Sequence, residues 1–287
     1  MLRLHQQCAS LYVPATHKNL LDIAAGKRLA QLSSLIFCTE DAVSEADLPH
    51  ALQCLIEVLP LLEPHAKQQR LIRVRNAEVM HALLQSPHIQ KIDGFVLPKI
   101  TANNIFEYEV LVQRGFAIMP TLETAEVFIE RDMLALRDIL LQEPWRSAVA
   151  SLRIGGNDLL GLLGMRREAG YTLYDSVLGT HIDRLVGIFK PHGFELSAPV
   201  FEFLNDADNL RREVKQDLLH GLTGKTAIHP DQIPLIESMY QVSEQDLLMA
   251  QTLMASDKAV FQYEQRMQEY STHYKWANKI LKTVESL

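Results

Sequence analysis

Acidic and basic side chains recur along this sequence, each just after a short apolar run: Glu40 and Asp41, Arg73 and Arg75, Lys99, Glu123, Asp158 and His229. Two carboxylates brought together from successive runs, such as Glu123 and Asp158, can share a hard divalent cation. Mg2+ takes one or two protein carboxylates and leaves its other positions to water and substrate oxygens. An arginine beside them can hold a substrate carboxylate in a bidentate fork. Each residue also has a plainer use. Glu123 can favour the dipole of a following helix, Asp158 can cap one, and His229-Pro230 can begin one with proline at its first position. Lys99 can be a solvated loop cation. Spacing alone leaves the reaction open.

The elements that must position these groups are legible in the pattern of runs. Apolar, β-rich stretches at 11–13, 34–39, 71–74, 94–98, 117–120, 148–154, 195–203 and 225–228 suit strands buried on both faces of a parallel sheet. Helical patterns separate them, with a capping box at Ser44–Asp47, a cap at Asp206 or Asp208, and a stop at Gly221. Eight such βα units predict an α/β fold, a (β/α)8 TIM barrel, whose polar residues at the C-terminal strand ends meet at one mouth. An open doubly wound sheet is the alternative. Gly155-Gly156 matches neither GxGxxG nor GxxxxGK[ST], so nothing favours a nucleotide fold. Residues 1–242 are therefore read as a barrel catalytic domain. Residues 243–287 are read as a C-terminal helical extension that packs on the barrel or on a neighbouring subunit, opened by a second capping box at Ser243–Asp246.

Composition narrows the class further. Apolar residues make up 47% and charged residues 22%, values of a globular protein rather than a disordered one. The net charge of −7 argues against nonspecific nucleic-acid binding, although a local basic pocket remains compatible with it. Cys8, Cys38 and Cys54 form no CxxC pair and no even-numbered framework. No apolar run is long enough for a membrane span, and the first ten residues hold no signal core. The expected location is the cytoplasm. Cys38 reads as a small buried hydrophobe before a reactive thiol, and Tyr263, Tyr270, Tyr274 and Trp276 read as interface aromatics before base contacts.

The runs LYVPA (11–15), TEDAV (39–43), IRVRN (72–76), VLPKI (96–100), MPTLETAEV (119–127), RIGGNDLLGLLG (153–164) and GLTGKTAIHPDQI (221–233) occur in this order. The tail carries Met267-Gln-Glu269 and Trp276-Ala277. Together they resemble the HpcH/HpaI aldolase and citrate lyase beta-subunit family, nearest its citryl-, malyl- and citramalyl-CoA lyase branch. They also resemble diverged members encoded near tellurite-resistance genes. The resemblance implies a Mg2+-dependent (Mn2+ as substitute) carbon–carbon lyase that is a homotrimer or a multiple of one. A CoA thioester would be its substrate rather than a bound cofactor. It further implies Glu123 and Asp158 as metal ligands, Arg73 as the grip on the substrate carboxylate, and Glu40 as the residue orienting that arginine or metal-bound water. Glu269 would be a proton-transferring acid offered to a neighbour's mouth, in the place of the family's aspartate. Lys99 and Arg75 would add substrate-binding cations.

The sequence departs from the family pattern at Cys8, where relatives carry an arginine, at Ala15 for a glycine, at Cys38-Thr39, and at Arg75 for an asparagine. The first removes a cation expected near CoA and the last adds one to the mouth. Two alternatives follow: an aldolase acting on a free hydroxy-keto acid without CoA, and a stress-response protein that keeps barrel and metal site with weak catalysis.

Overall fold

The structure, a computed structural model, describes residues 9–63 and 68–285; by contacts the chain divides into two compact units, residues 1–239 and 240–287. Cys8 lies outside the described residues. No helix among them is long and apolar enough to cross a membrane.

The first unit is built on eight parallel strands: β1 (Ala9–Pro14), β2 (Ser34–Cys38), β3 (Gln69–Arg73), β4 (Gly94–Leu97), β5 (Ala117–Leu122), β6 (Leu152–Ile154), β7 (Leu196–Ser197) and β8 (Lys225–Ala227). Every residue of β2 to β8 is buried, as strands covered on both faces require. The strands pair in the order β7-β6-β5-β4-β3-β2-β1-β8. A bridge between Ala198 and Lys225, with the Ala198 N–H donating to the Gly224 carbonyl at 2.7 Å, joins the two ends and closes the barrel. Period-2 alternation sends Tyr12, Ile36, Leu71, Val96 and Met119 to one interior layer, where they pack together.

Helices return the chain between strands. They are α1 (Leu20–Ala24), α2 (Leu48–Val58), α3 (Ala77–Leu83) and α4 (Glu109–Gln113), then α5 (Glu130–Leu140) and α6 (Trp145–Ala148) after β5. Next come α7 (Gly156–Leu162) and α8 (Leu178–Phe189) after β6, α9 (Ala207–Leu219) after β7 and α10 (Ile233–Tyr240) after β8. Asp206 caps α9 by accepting from the Asn209 N–H at 3.2 Å, and Gly221 follows its end at φ +74°.

Three local expectations are corrected. The run 148–154 is a continuous strand only from Leu152, since α6 ends at Ala148 and ahead of Leu152 the chain joins the sheet only through an isolated bridge between Val149 and Ile118. The run 195–203 keeps two strand residues, since Pro199 has no N–H to give a ladder. The box at Ser44–Asp47 forms, with the Asp47 N–H donating to Ser44 Oγ at 3.2 Å, but it closes the turn ahead of α2, which begins at Leu48 with Pro49 in its first turn.

Outside the barrel wall, β8 is locked to α9 by a buried ionic network. Lys225, 1% exposed, donates to Glu213 at 2.8 Å and Asp217 at 2.9 Å, one turn apart on α9. Arg167 grips both oxygens of Glu213 at 2.7 and 3.2 Å, and Tyr174 donates to Asp217 at 2.7 Å. Burial alone would raise the Glu213 pKa, yet Lys225 and Arg167 hold it below its ordinary value. Removing one member leaves charge buried without compensation. Lys225→Met is expected to lower the unfolding free energy by about 3–5 kcal/mol in urea titration; a loss no larger than that of an exposed lysine would show that the network stabilises nothing.

The second unit contains α11 (Glu244–Ala255), β9 (Val260–Tyr263), β10 (Arg266–Glu269) and α12 (Tyr270–Glu285). Ser243 caps α11 by accepting from the Asp246 N–H at 3.0 Å, as its box predicts. Ala250, Leu253 and Ala277 form its core, with Phe261, Trp276, Ile280 and Leu281 packed on them. The expected helical extension is present in α11 and α12, with an antiparallel hairpin between them that the sequence reading did not foresee and on whose second strand Met267-Gln-Glu269 lies. Its turn places Glu264 and Gln265 at φ +43° and +62°, the left-handed pair of a tight hairpin turn, without the asparagine or glycine that usually announces one.

Candidate active site

At the C-terminal ends of β2 to β6, the barrel mouth gathers Glu40, Arg73, Lys99, Glu123 and Asp158 around two adjoining pockets of about 710 and 370 Å3. Asp41, Glu123 and Asp158 border both. Arg73, the last residue of β3, is the hub. It pairs with Glu40, with Asp41 at 3.1 Å and with Glu123 at 3.4 Å, and its guanidinium lies 5.2 Å from the centre of the Tyr12 ring. Glu40 divides its oxygens between Arg73 and the Lys99 ammonium, the latter at 2.7 Å.

Backbone geometry brings Glu123 into this cluster. Lys99 follows Pro98 at φ +52°, a left-handed conformation that costs a non-glycine residue roughly 1–2 kcal/mol. In that conformation its N–H donates to Glu123 Oε1 at 2.8 Å while its side chain reaches Glu40. On the other side, Gly155 runs so close to Glu123 that a Cβ there would stand 2.4 Å from Glu123 Oε2. The two glycines before Asp158 thus have steric reasons, since a Cβ on Gly156 would stand 2.8 Å from Leu173 and from Pro199. Asp158 sits in the first turn of α7 rather than capping it, and next to it Asn157 accepts from Arg167 at 3.3 Å.

Burial raises the Glu123 carboxyl to about 7, with Asp158 and Glu40 adding to the effect and Arg73 opposing it. Asp158 is raised too, by burial and then by Asp41. Burial likewise lifts Glu40 and pushes the Cys38 thiol up, which suits the small-hydrophobe reading of that cysteine.

The donor set fits a hard divalent cation. Glu123 Oε1 is taken by Arg73 and the Lys99 N–H, but Oε2 meets no donor among the described residues, and the Asp158 carboxylate pairs with no side chain there. Two carboxylates with open oxygens beside a pocket suit Mg2+, which keeps water and substrate in its remaining positions. No group of three or more His, Cys, Asp or Glu residues forms a complete protein cage among the described residues.

The structure places other expected residues elsewhere. Arg75 donates to the carbonyls of Thr39 and Glu40, both at 3.3 Å, and to that of Val43, so it clamps the loop after β2 and lines neither pocket. Arg75 thus does not add the cation to the mouth that the resemblance implies for it. His229 caps the 3-10 turn at Pro230–Gln232 by accepting from the Asp231 N–H at 3.3 Å, its plainer use. Glu269 ends β10 in the second unit, where its carboxylate accepts from Ser271 at 2.9 Å. Asp41 borders both pockets, as its place after the second run suggests, but sequence reading missed Tyr12, Thr121, Thr226 and Arg153 as pocket residues. Register identifies the last three, because inward-facing residues recur every second position along each strand.

Over residues 2–286 the chain matches the family described as C–C bond lyase of the TIM-barrel fold. It belongs to that family. Among curated proteins it is similar to (3S)-malyl-CoA thioesterase of Cereibacter sphaeroides, 24% identical over 248 residues, covering 86% of this chain and 81% of the relative. Among solved structures, the CitE protein of Mycobacterium tuberculosis in complex with magnesium, acetoacetate and coenzyme A superposes with TM-score 0.72 at 21% identity, over 98% of this chain and 99% of that one. RipC from Yersinia pestis gives 0.64 at 20% identity, over 83% and 97%. The superpositions show that the barrel fold is shared along most of the chain.

The raised Glu123 carboxyl has a thermodynamic consequence. Between its ordinary value of 4.5 and about 7 the folded state holds a proton that the unfolded state releases, so stability falls as pH rises through this window. In a metal-free buffer, Glu123→Gln is expected to raise the melting temperature relative to wild type by a few degrees more at pH 8 than at pH 5. Equal shifts at the two pH values in calorimetry contradict this. Gly155→Ala displaces the same carboxylate and is expected to abolish the stabilisation that added Mg2+ gives the wild type.

Proposed function

We propose that the protein is a Mg2+-dependent carbon–carbon lyase that cleaves a 3-hydroxyacyl-CoA of the citryl-, citramalyl- or malyl-CoA kind into an acyl-CoA and a 2-keto acid. The observation that carries this reading is the pair Glu123 and Asp158, with open carboxylate oxygens on one pocket directly beside the Arg73 cluster. Mg2+, or Mn2+ in its place, would be held by these two carboxylates and would polarise the hydroxyl that becomes the keto group.

The chain's own groups account for the rest. Breaking the bond sends its electron pair to the carbon beside the thioester, and the hydroxyl proton passes to a carboxylate of the mouth. Arg73 and Lys99 place positive charge next to the bound substrate carboxylate before the reaction begins, so no reorganisation is needed as charge moves. Glu40, with both oxygens engaged, fixes the positions of those two cations. The resulting enolate carbon takes a proton from Glu269, delivered by a neighbouring copy in a homo-oligomer, a trimer or a multiple of one. The cytoplasm is the compartment in this reading.

The malyl-CoA thioesterase relative supplies a second outcome to watch, hydrolysis of the thioester. Incubation with citryl-, citramalyl- and malyl-CoA plus Mg2+ separates the two. Release of a 2-keto acid with CoA still acylated supports the lyase, whereas free CoA thiol without keto acid supports hydrolysis. Under the lyase reading Glu123→Ala and Asp158→Ala each lower kcat/KM by about a hundredfold or more, in the range of losing one preorganised electrostatic group. No turnover of any of the three thioesters rejects it and leaves the CoA-free aldolase.

A further inference from the structure

Arg153 stands in the middle of β6 with its side chain inside the barrel, 3% exposed, on the floor of the smaller mouth pocket. Its contacts are the Thr226 hydroxyl, the Met119 sulfur at 3.7 Å and the Tyr12 ring, whose centre is 5.6 Å away. No carboxylate lies within 4.0 Å of it among the described residues. The contrast with its neighbours is sharp: Arg73 has three carboxylates and Arg167 has both oxygens of Glu213. A guanidinium held out of water with no counter-charge is costly to fold around, because its desolvation is repaid only by a partner of opposite sign.

The partner is missing on the side that faces the pocket. Thr121, paired in register with Arg153 and so on the same inner face, also borders this pocket, and its buried hydroxyl has no hydrogen-bond partner. A cation and an unpartnered hydroxyl at one floor, with a second hydroxyl from Thr226 across it, form a donor set for an anion. Arg73 and Arg153 lie 5.2 and 5.6 Å from the centre of the same Tyr12 ring, which puts the two guanidinium carbons within about 11 Å of each other, the scale of a short diacid held at both ends. The charge balance agrees. Four carboxylates (Glu40, Asp41, Glu123, Asp158) face three cations (Arg73, Lys99, Arg153), so a bound divalent cation leaves the mouth net positive.

We propose that Arg153, with the hydroxyls of Thr121 and Thr226, is an anion subsite that takes the second carboxylate of a dicarboxylic substrate. The inference rests on the reading above, in which the first carboxylate is held beside Arg73 and Lys99. It narrows the substrate class to acids whose keto product is itself a diacid, and it makes Arg153 the residue that excludes monocarboxylates.

The test is calorimetric binding of oxaloacetate and pyruvate, in Mg2+, to wild type and to Arg153→Met. Wild type should bind the diacid about tenfold or more tightly than the monoacid, as a charge-assisted contact implies. Arg153→Met should bring the two within about threefold by losing diacid affinity alone. Wild-type binding without preference, or a folded Arg153→Met protein that keeps the preference, overturns the proposal. Should Arg153→Met fail to fold by circular dichroism, Thr121→Val decides, since it removes a hydroxyl that bonds to nothing in the free protein. A selective loss for the diacid supports the subsite and an unchanged preference overturns it. Failure of the lyase reading shows separately: a protein that prefers the diacid yet cleaves no thioester rejects that reading and supports the subsite.

Discussion

A guanidinium surrounded by carboxylates at the top of β3 is the constraint around which this mouth is arranged. Arg73 is almost fully buried, and burial of its charge is tolerable only because Glu40, Asp41 and Glu123 converge on it from other strand ends. The converse holds equally. Those acids are drawn into one small volume, where burial and mutual repulsion raise Glu40 and Glu123, and Arg73 is what lets them share it. Lys99 completes the arrangement, and its left-handed backbone is a local strain accepted so that one residue can serve Glu123 with its N–H and Glu40 with its ammonium. A site assembled in this way has its electrostatics in place before any ligand arrives.

The barrel wall transmits order between this interior and the outer shell. On β8, Lys225 turns outward to Glu213 and Asp217 while the next residue, Thr226, turns inward to Arg153, so one short strand is pinned on both faces. Arg167, which grips Glu213, also donates to Asn157, the neighbour of Asp158. The start of α7 is therefore tied to a buried ionic network on the far side of the wall. Precise placement of an acid at a helix start needs such support, since side chains on element ends are held by what surrounds them.

Much of this was legible in the chain. Continuous apolar runs announced the buried parallel strands, and their intervals announced eight units, because a crossover needs a minimum length. Glu40, Arg73, Lys99, Glu123 and Asp158 were legible as mouth residues because each ends such a run. Arg75 was not, since two residues past Arg73 the chain has left the strand and its side chain finds loop carbonyls. The hairpin at 260–269 was hidden for a different reason: Glu264 and Gln265 adopt left-handed backbone without the residues that normally mark it. Arg153 escaped because it lies inside a run rather than at its end, where a charged residue reads as an interruption of the strand.

That last position shows what a barrel interior can do with charge. Core layers in such barrels are filled by apolar side chains, and Tyr12, Ile36, Leu71, Val96 and Met119 follow the rule. Arg153 enters among them, with its guanidinium on the Tyr12 ring and the Met119 sulfur beside it. An apolar residue would have filled the same space without any desolvation cost. The tyrosine face and the thioether provide only weak compensation. Tyr12 stands within reach of both Arg73 and Arg153, one neutralised by acids and the other not. The ring separates a cation that organises the protein's own carboxylates from one left open to a ligand, and this division gives the pocket two ends with different chemistry.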